Sequence, residues 1–106
     1  MNDAYLNNYK NIISTINKYK DIKNKEIRLV VVSKTQDYKK IIQLEKYGQK
    51  DFGENYLDEA EDKISKIKKH TIVWHYIGTI QSNKIRKICN YFQWIHTVAS
   101  EKHALK

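Results

Sequence analysis

The stretch Ile27-Arg28-Leu29-Val30-Val31-Val32-Ser33-Lys34 decides the fold of this chain. A short run of branched apolar residues is typical of a strand buried on both faces in a parallel sheet. Lys34 follows where such a strand runs out into a loop, and α/β folds place their chemistry at these carboxyl ends. An amine that is partly desolvated there can lose its proton and attack a carbonyl. The alternative is a lysine that merely reaches into water.

Alternating hydrophobic patterns surround this strand and predict one α/β domain over residues 1–106. Apolar residues at helical spacing predict helices over 3–20, 37–47, 57–67 and 85–92, and apolar runs predict strands over 27–33, 50–52, 71–77 and 94–98. The tail from Ser100 to Lys106 is expected to begin another helix. This order predicts a parallel sheet of about four strands with right-handed crossovers, flanking helices and an N-terminal helix.

The composition favours a small cytoplasmic domain. Cys89 is the single cysteine and is expected to fill a helix face, so no internal disulfide forms and a reducing cytosol fits. No apolar run approaches the ~18 residues of a membrane span. The net charge of +8 admits a basic nucleic-acid-binding domain as a weaker alternative. Only two of the 20 basic residues are arginine, however, and frequent lysine, isoleucine, asparagine and tyrosine suggest AT-rich codons rather than phosphate recognition.

Polar residues follow three of the predicted strands. They are Ser33-Lys34-Thr35, Gly53-Glu54-Asn55, and His75-Tyr76 with Gly78 and then Gln81-Ser82-Asn83-Lys84. In a parallel sheet these groups share one rim, and strand alternation lets Lys34 and His75 point to the same face. Gly53 and Gly78 are expected to meet a backbone need, either a positive φ or the close approach of a ligand, or else to be ordinary turn glycines.

Several kinds of site are disfavoured by the spacing of residues. The four histidines are scattered and no HxH, HExxH or CxxC pattern occurs, which argues against a metal. Glu54 is the only carboxylate at a predicted strand end, so paired acid–base hydrolysis has little support. A phosphate-binding loop, GxGxxG and GxSxG are also missing. His75 and His96, taken alone, are most simply hydrogen-bonded structural residues.

Four motifs in order resemble the YggS/PROSC-type pyridoxal phosphate homeostasis protein family, which is related to the barrel domain of alanine racemase. They are Val31-Val32-Ser33-Lys34-Thr35, Tyr47 to Tyr56, Trp74 to Gly78 with Gln81-Ser82-Asn83-Lys84, and Ile95-His96-Thr97-Val98. The resemblance covers essentially the whole chain but only the N-terminal half of the family's length. It implies a partial (β/α)8 barrel of the TIM type that holds pyridoxal 5′-phosphate (PLP).

The resemblance also implies the roles of three residues. Lys34 matches the lysine that holds PLP as a Schiff base, and Asn55 and His75 match positions that line the cofactor cavity, with His75 close to the ring. The family is regarded as a carrier or buffer of PLP without robust catalytic turnover. Thr79 replaces a usual proline, and Ala99 replaces a common aspartate.

The missing half leaves two alternatives open. The family's phosphate-binding segments lie beyond the region that this chain matches, and tight retention of PLP needs N–H groups and hydroxyls around its phosphate. The chain is therefore either a PLP-binding homeostasis protein that is no enzyme, or a truncated relic or interaction fragment that no longer binds PLP alone. An uncovered inner face would also favour self-association or pairing with a C-terminal half.

Overall fold

The computed structural model describes residues 4–68 and 71–96, which form a four-stranded parallel sheet with flanking helices. The elements are α1 (Ala4–Lys23), β1 (Val31–Val32), α2 (Tyr38–Lys46), β2 (Asp51–Glu54), α3 (Leu57–Ile67), β3 (Val73–Tyr76), α4 (Ile85–Tyr91) and β4 (Trp94–Ile95). A 3-10 turn, Ser82–Lys84, leads into α4. The strands lie in the order β1-β2-β3-β4, all parallel, which confirms the predicted partial α/β barrel.

The strands are shorter at the sheet edges than the apolar runs predict. β1 pairs only through Val31 and Val32, although the sequence predicts a strand over 27–33. Part of the reason is the side chain of Gln49, whose Nε2 donates to the Leu29 carbonyl at 2.7 Å in place of a ladder partner. At the opposite edge β4 ends at Ile95. The predicted extension to Val98 and the helix predicted from Ser100 lie outside the described residues.

Helix α2 begins and ends where local chemistry predicts. The Asp37 side chain caps α2 by accepting the N–H of Lys39 at 2.9 Å. Gly48 follows the same helix with φ of 100°, as a terminating glycine requires. Gly78 has another constraint: a Cβ at this position would lie 2.4 Å from the backbone oxygen of Asn55. Gly78 therefore meets a backbone need, but the close neighbour is the chain's own backbone and not the ligand that the sequence suggested.

The hydrophobic core lies between the helices and one face of the sheet. Phe52, Trp74 and Tyr76 alternate along β2 and β3 into this core, where Ile41, Ala60 and Ile88 meet them. On α1 the core takes Leu6 and Tyr9, whereas Ile12 and Tyr19 from the predicted apolar stripe are about half exposed. No helix among the described residues is long and apolar enough to cross a membrane.

Cys89 is exposed, so the prediction that it fills a helix face is wrong. The short helix α4 turns Ile88 into the core, and Phe92 at its end is buried beside Tyr76. Successive helical residues are about 100° apart, so Cys89 lies round the helix from Ile88. Cys89 lies four residues after Ile85, and this helical spacing suggested that both residues share one apolar face. The spacing was misleading because Ile85 is itself 45% exposed.

Candidate functional site

The sheet face opposite the helices, here called the inner face, carries the polar residues. Register pairs Val32 with Gly53, Gly53 with His75, and His75 with Trp94, so these four form one row across the sheet. Asp51 precedes this row on β2 with the same parity, and His96 follows it after β4. The parity that sequence analysis assigned to His75 is confirmed, because its neighbours Trp74 and Tyr76 pack into the core.

A hydrogen-bonded chain of Asp51, His75 and His96 crosses three strands of the inner face. His75 is buried, and its Nε2 lies 2.8 Å from Asp51 Oδ1. Its Nδ1 lies 2.7 Å from Nε2 of the exposed His96. A carboxylate accepts only, so a neutral His75 carries its proton on Nε2 and its Nδ1 accepts from His96. Asp51 therefore fixes the tautomer of His75, and His96 connects that ring to solvent.

The aromatic rings of the inner face are nearly parallel. His75 and His96 differ by 13° in plane with ring centroids 5.0 Å apart, and Trp94 lies within 15° of both at 6.1 and 6.3 Å. Since a 2.7 Å hydrogen bond joins the two histidine edges, these rings lie edge to edge rather than face to face. Trp94 is about half exposed. The carboxyl half of β3 and β4 thus presents a row of parallel rings to the inner face.

Asp51 stays ionised because the guanidinium of Arg28 and the ring N–H of His75 both donate to its carboxylate. Arg28 donates from Nη2 to Oδ1 at 2.5 Å and from Nε to Oδ2 at 3.3 Å. Burial by itself raises the pKa of Asp51, but the hydrogen bonds from His75 and Arg28 and the charge of Arg28 outweigh it and hold that pKa below its usual value. The inner face therefore carries a fixed negative charge next to His75.

Lys34 lies in a tight turn immediately after β1. The N–H of Gln36 donates to the carbonyl of Ser33 at 3.1 Å, which closes the turn around Lys34 and Thr35. Lys34 is exposed, and its amine has no hydrogen-bond or ion-pair partner among residues 4–68 and 71–96. The amine is thus open to a ligand. The expectation that its position at a strand end partly desolvates it is wrong for the described part of the chain.

Asn55 follows β2 at the same edge of the sheet. Its Oδ1 is buried and has no hydrogen-bond partner within the described ranges. The residue lines an open cleft of about 560 Å³ between the segments that follow β2 and β3, together with Tyr56, Ile77 and Gly78. A buried acceptor without a donor costs free energy, so a donor supplied by a ligand or water would satisfy it.

The three predicted site residues lie towards one edge of the sheet. Lys34 and Asn55 lie just past the ends of β1 and β2, and His75 lies on β3 two residues further in. No hydrogen bond joins any two of them in the part of the chain that the structure describes. The strand ends thus gather these residues as parallel topology predicts. Their roles toward a ligand stay predictions.

Sequence reasoning missed Asp51 as a partner of His75 and read His96 only as a hydrogen-bonded structural residue, without its partner His75. It also left Glu54 as a lone carboxylate, whereas the structure buries it beside Lys63, with 3.0 Å between Lys63 Nζ and Glu54 Oε2. The alternation of side chains along a strand could have indicated the contact between Asp51 and His75. Asp51 points to the opposite face from its neighbour Phe52, just as His75 points to the opposite face from its neighbour Trp74. The sequence does not contain the register that brings the side chains into contact.

Comparisons with known proteins identify relatives of this chain. It is 42% identical over 84 residues to a pyridoxal phosphate homeostasis protein of Vibrio cholerae, a match that covers 76% of this chain and 36% of the relative. It is 45% identical over 82 residues to the protein of the same name from Buchnera aphidicola subsp. Schizaphis graminum, with the same coverage. No family model matches the chain.

Solved structures agree with this relationship. PipY, the COG0325 family member of Synechococcus elongatus PCC7942, superposes with a TM-score of 0.68 at 33% identity in its structure without PLP. Its structure with PLP bound gives 0.66 at 31% identity and covers 84% of this chain and 44% of PipY.

The parallel sheet, with a free lysine and a buried histidine toward its carboxyl edge, defines a partial α/β barrel with a candidate ligand site. The chain is a homologue of the pyridoxal phosphate homeostasis proteins of the YggS type. It spans a little over a third of the length of the curated relatives it matches.

Proposed function

We propose that this chain binds PLP through Lys34 as a Schiff base and serves PLP homeostasis as a carrier, with no catalytic turnover of its own. The observation that carries the proposal is the open amine of Lys34 after β1, in a chain whose relatives are named for PLP homeostasis. PLP supplies an aldehyde, which is the group that an unprotonated lysine amine attacks. The lone Cys89 fits a reducing cytoplasm as the place of this activity.

The described residues fit part of the cofactor. Lys34 offers the amine, and Asn55, which lines the cleft that follows β2 and β3, offers an acceptor in its unpartnered Oδ1. His75 offers a ring of fixed tautomer, held by Asp51. The phosphate is less well served, because the first turn of α3 carries Asp58 and Glu59, whose charges oppose an anion at that helix N-terminus. The amine therefore supplies most of the affinity, and free pyridoxal is expected to compete nearly as well as PLP.

Borohydride trapping tests this proposal directly. The purified chain is mixed with PLP, its visible absorbance is recorded, and reduction fixes any Schiff base for peptide mapping. We expect the label on Lys34 above the other 17 lysines, and its loss in Lys34→Arg, which keeps the charge. The matched control is Lys50→Arg, an exposed lysine before β2, which should label at Lys34 as before. Label spread evenly over the exposed lysines would refute a retained site.

We also propose that the inner face is covered in the working protein, either by self-association or by the C-terminal part of a barrel. Val32 and Trp94 support this, since each is about half exposed at one end of the inner row. Such a cover would also supply groups for the phosphate that the described residues lack.

A further inference from the structure

Two side chains of α3 hold the backbone on either side of Lys34. Glu59 Oε1 accepts the N–H of Thr35 at 2.5 Å. Lys63, one helical turn later, donates from Nζ to the carbonyl of Ser33 at 2.6 Å. The residue before Lys34 and the residue after it are thus each tied to the same helix. Lys34 itself is left with its amine open.

Lys63 is the centre of this arrangement. Its side chain is buried, and its three N–H donors meet three acceptor groups: the Ser33 carbonyl, the Glu54 carboxylate at 3.0 and 3.2 Å, and Glu59 Oε1 at 2.6 Å. Burying Lys63 and Glu54 is costly, and a pair of well-packed apolar side chains would fill the same space without that cost. A buried lysine whose donors are all satisfied fixes geometry, and what it fixes here, together with the partly exposed Glu59, is the turn.

The turn needs such support because Thr35 is strained. Its φ of 62° lies in the left-handed region, which β-branched residues rarely adopt. Strained backbone persists only where surrounding contacts hold it, and it concentrates at functional sites. Burial raises the pKa of Glu59, but hydrogen bonds from Lys63 and from the Thr35 N–H outweigh this and lower it, so the carboxylate stays charged at neutral pH.

We propose that Glu59 and Lys63 are positioning residues for Lys34. From the helix side of the sheet they fix the turn, so that the lysine amine is presented at the carboxyl end of β1 to an aldehyde ligand. The inference rests on the proposed function, since it states how this chain holds the amine that a Schiff base requires. Neither residue touches the ligand.

The test compares three substitutions on α3. Glu59→Ala removes the acceptor of the Thr35 N–H, Glu59→Gln keeps an acceptor oxygen, and Glu61→Ala is the matched control, because Glu61 pairs with Lys87 instead, at 2.7 Å. Two quantities are measured: the amide exchange rate of Thr35 by NMR without ligand, and the share of borohydride-fixed PLP on Lys34. We expect about tenfold faster exchange and a Lys34 share near that of Lys50 in Glu59→Ala, because a charge-assisted hydrogen bond is lost.

Glu59→Gln, which keeps an acceptor oxygen without the charge, should recover part of the loss in both quantities, and Glu61→Ala should leave both at the wild-type level. Should Glu59→Ala lose its cooperative melt, Glu59→Asp replaces it, since the shorter side chain keeps a carboxylate near Lys63 but withdraws it from Thr35. The positioning role would be overturned if the variant that is used, Glu59→Ala or its replacement Glu59→Asp, kept both the wild-type exchange rate of the Thr35 amide and the wild-type share of label on Lys34. Even labelling of lysines in the wild type would instead overturn the proposed function, which keeps the two failures distinct.

Discussion

At the scale of single residues, Asp51 organises the inner face. One oxygen, Oδ1, receives both His75 Nε2 at 2.8 Å and Arg28 Nη2 at 2.5 Å. The first bond sets the His75 tautomer and the second keeps the carboxylate charged. Because His75 is buried, its orientation depends on this bond and on His96. A ligand on the inner face would therefore meet a ring whose direction and proton position are already set.

We predict that Asp51→Ala lowers the free energy of unfolding by about 2 kcal/mol at pH 7, since it leaves a buried ring N–H without an acceptor. The folded-state pKa of Asp51 is lowered, so its stabilisation is present above the unfolded-state value of about 3.9 and is lost as the pH falls through the folded-state value. Urea unfolding at pH 7 and near pH 2.5 should show the difference from wild type shrinking in acid.

The matched control is Asp62→Ala, which removes an exposed pair with Lys66 and should leave the free energy of unfolding nearly unchanged. An Asp51→Ala deficit that stayed the same at both pH values would contradict a charged Asp51 as the source of the effect.

The predicted order of strands and helices was enough to place Lys34, Asn55 and His75 at one edge of the sheet, because all strands of a parallel sheet end on the same side. It was not enough to pair Asp51 with His75, since that contact depends on how β2 and β3 are registered. A one-residue slip would turn Asp51 to the helices. The exposure of Lys34 was also beyond reach, because it follows from the turn geometry after β1 and not from the apolar run before it.

At the scale of elements, a buried ion pair joins α3 to β2. Lys63 of α3 and Glu54 of β2 have side chains only 7% and 0% exposed, and Ser33 Oγ also donates to Glu54. On α3 the i,i+4 pairs Glu59–Lys63 and Asp62–Lys66 both form, but only the first has a buried lysine. Spacing held a clue, since Lys63 lies between Ala60 and Ile67 on the buried face.

We predict that Lys63→Met destabilises the fold by about 3–5 kcal/mol, because it leaves the Glu54 carboxylate buried without a cation. The double variant Lys63→Met with Glu54→Gln should recover most of this loss, since no uncompensated charge remains. Urea denaturation of both variants measures the two values. Lys66→Met on the exposed side of α3 serves as the control, and equal losses in Lys63→Met and Lys66→Met would contradict the network.

At the scale of the whole molecule, the sheet has a covered face and an open one. The alternation of strands and helices predicted the parallel order, and the resemblance predicted that this order is part of a barrel; both are confirmed. Local pattern could not reveal how exposed the inner face is. Val32 is 49% exposed, whereas Val30, Val73 and Ile77 are part-buried. Val30 and Ile77 lie over Gly53: a Cβ built on that glycine would be 3.3 Å from Val30 and 3.2 Å from Ile77.

Because the inner face is only partly buried, we predict that the 106-residue chain expressed alone associates through this face. Burying a Val or Ile side chain contributes roughly 1.5–3 kcal/mol, and association at 1 μM requires about 8 kcal/mol, so several inner-face residues must be buried together. We expect face-to-face dimers or larger species in sedimentation at low micromolar concentration. Val32→Lys, which places a charge on the exposed part of the inner face along β1, should shift the chain toward monomer.

Ile22→Lys is the control, since Ile22 is 62% exposed on α1 and belongs to no part of the inner face. It should leave the sedimentation profile unchanged. Near-UV circular dichroism of Trp94 should change with concentration in the wild type, because association would bury its half-exposed ring, and should not change in Val32→Lys. A wild-type chain that stays monodisperse and monomeric, with a sharp cooperative melt, would show that this sheet is stable with its inner face open to water.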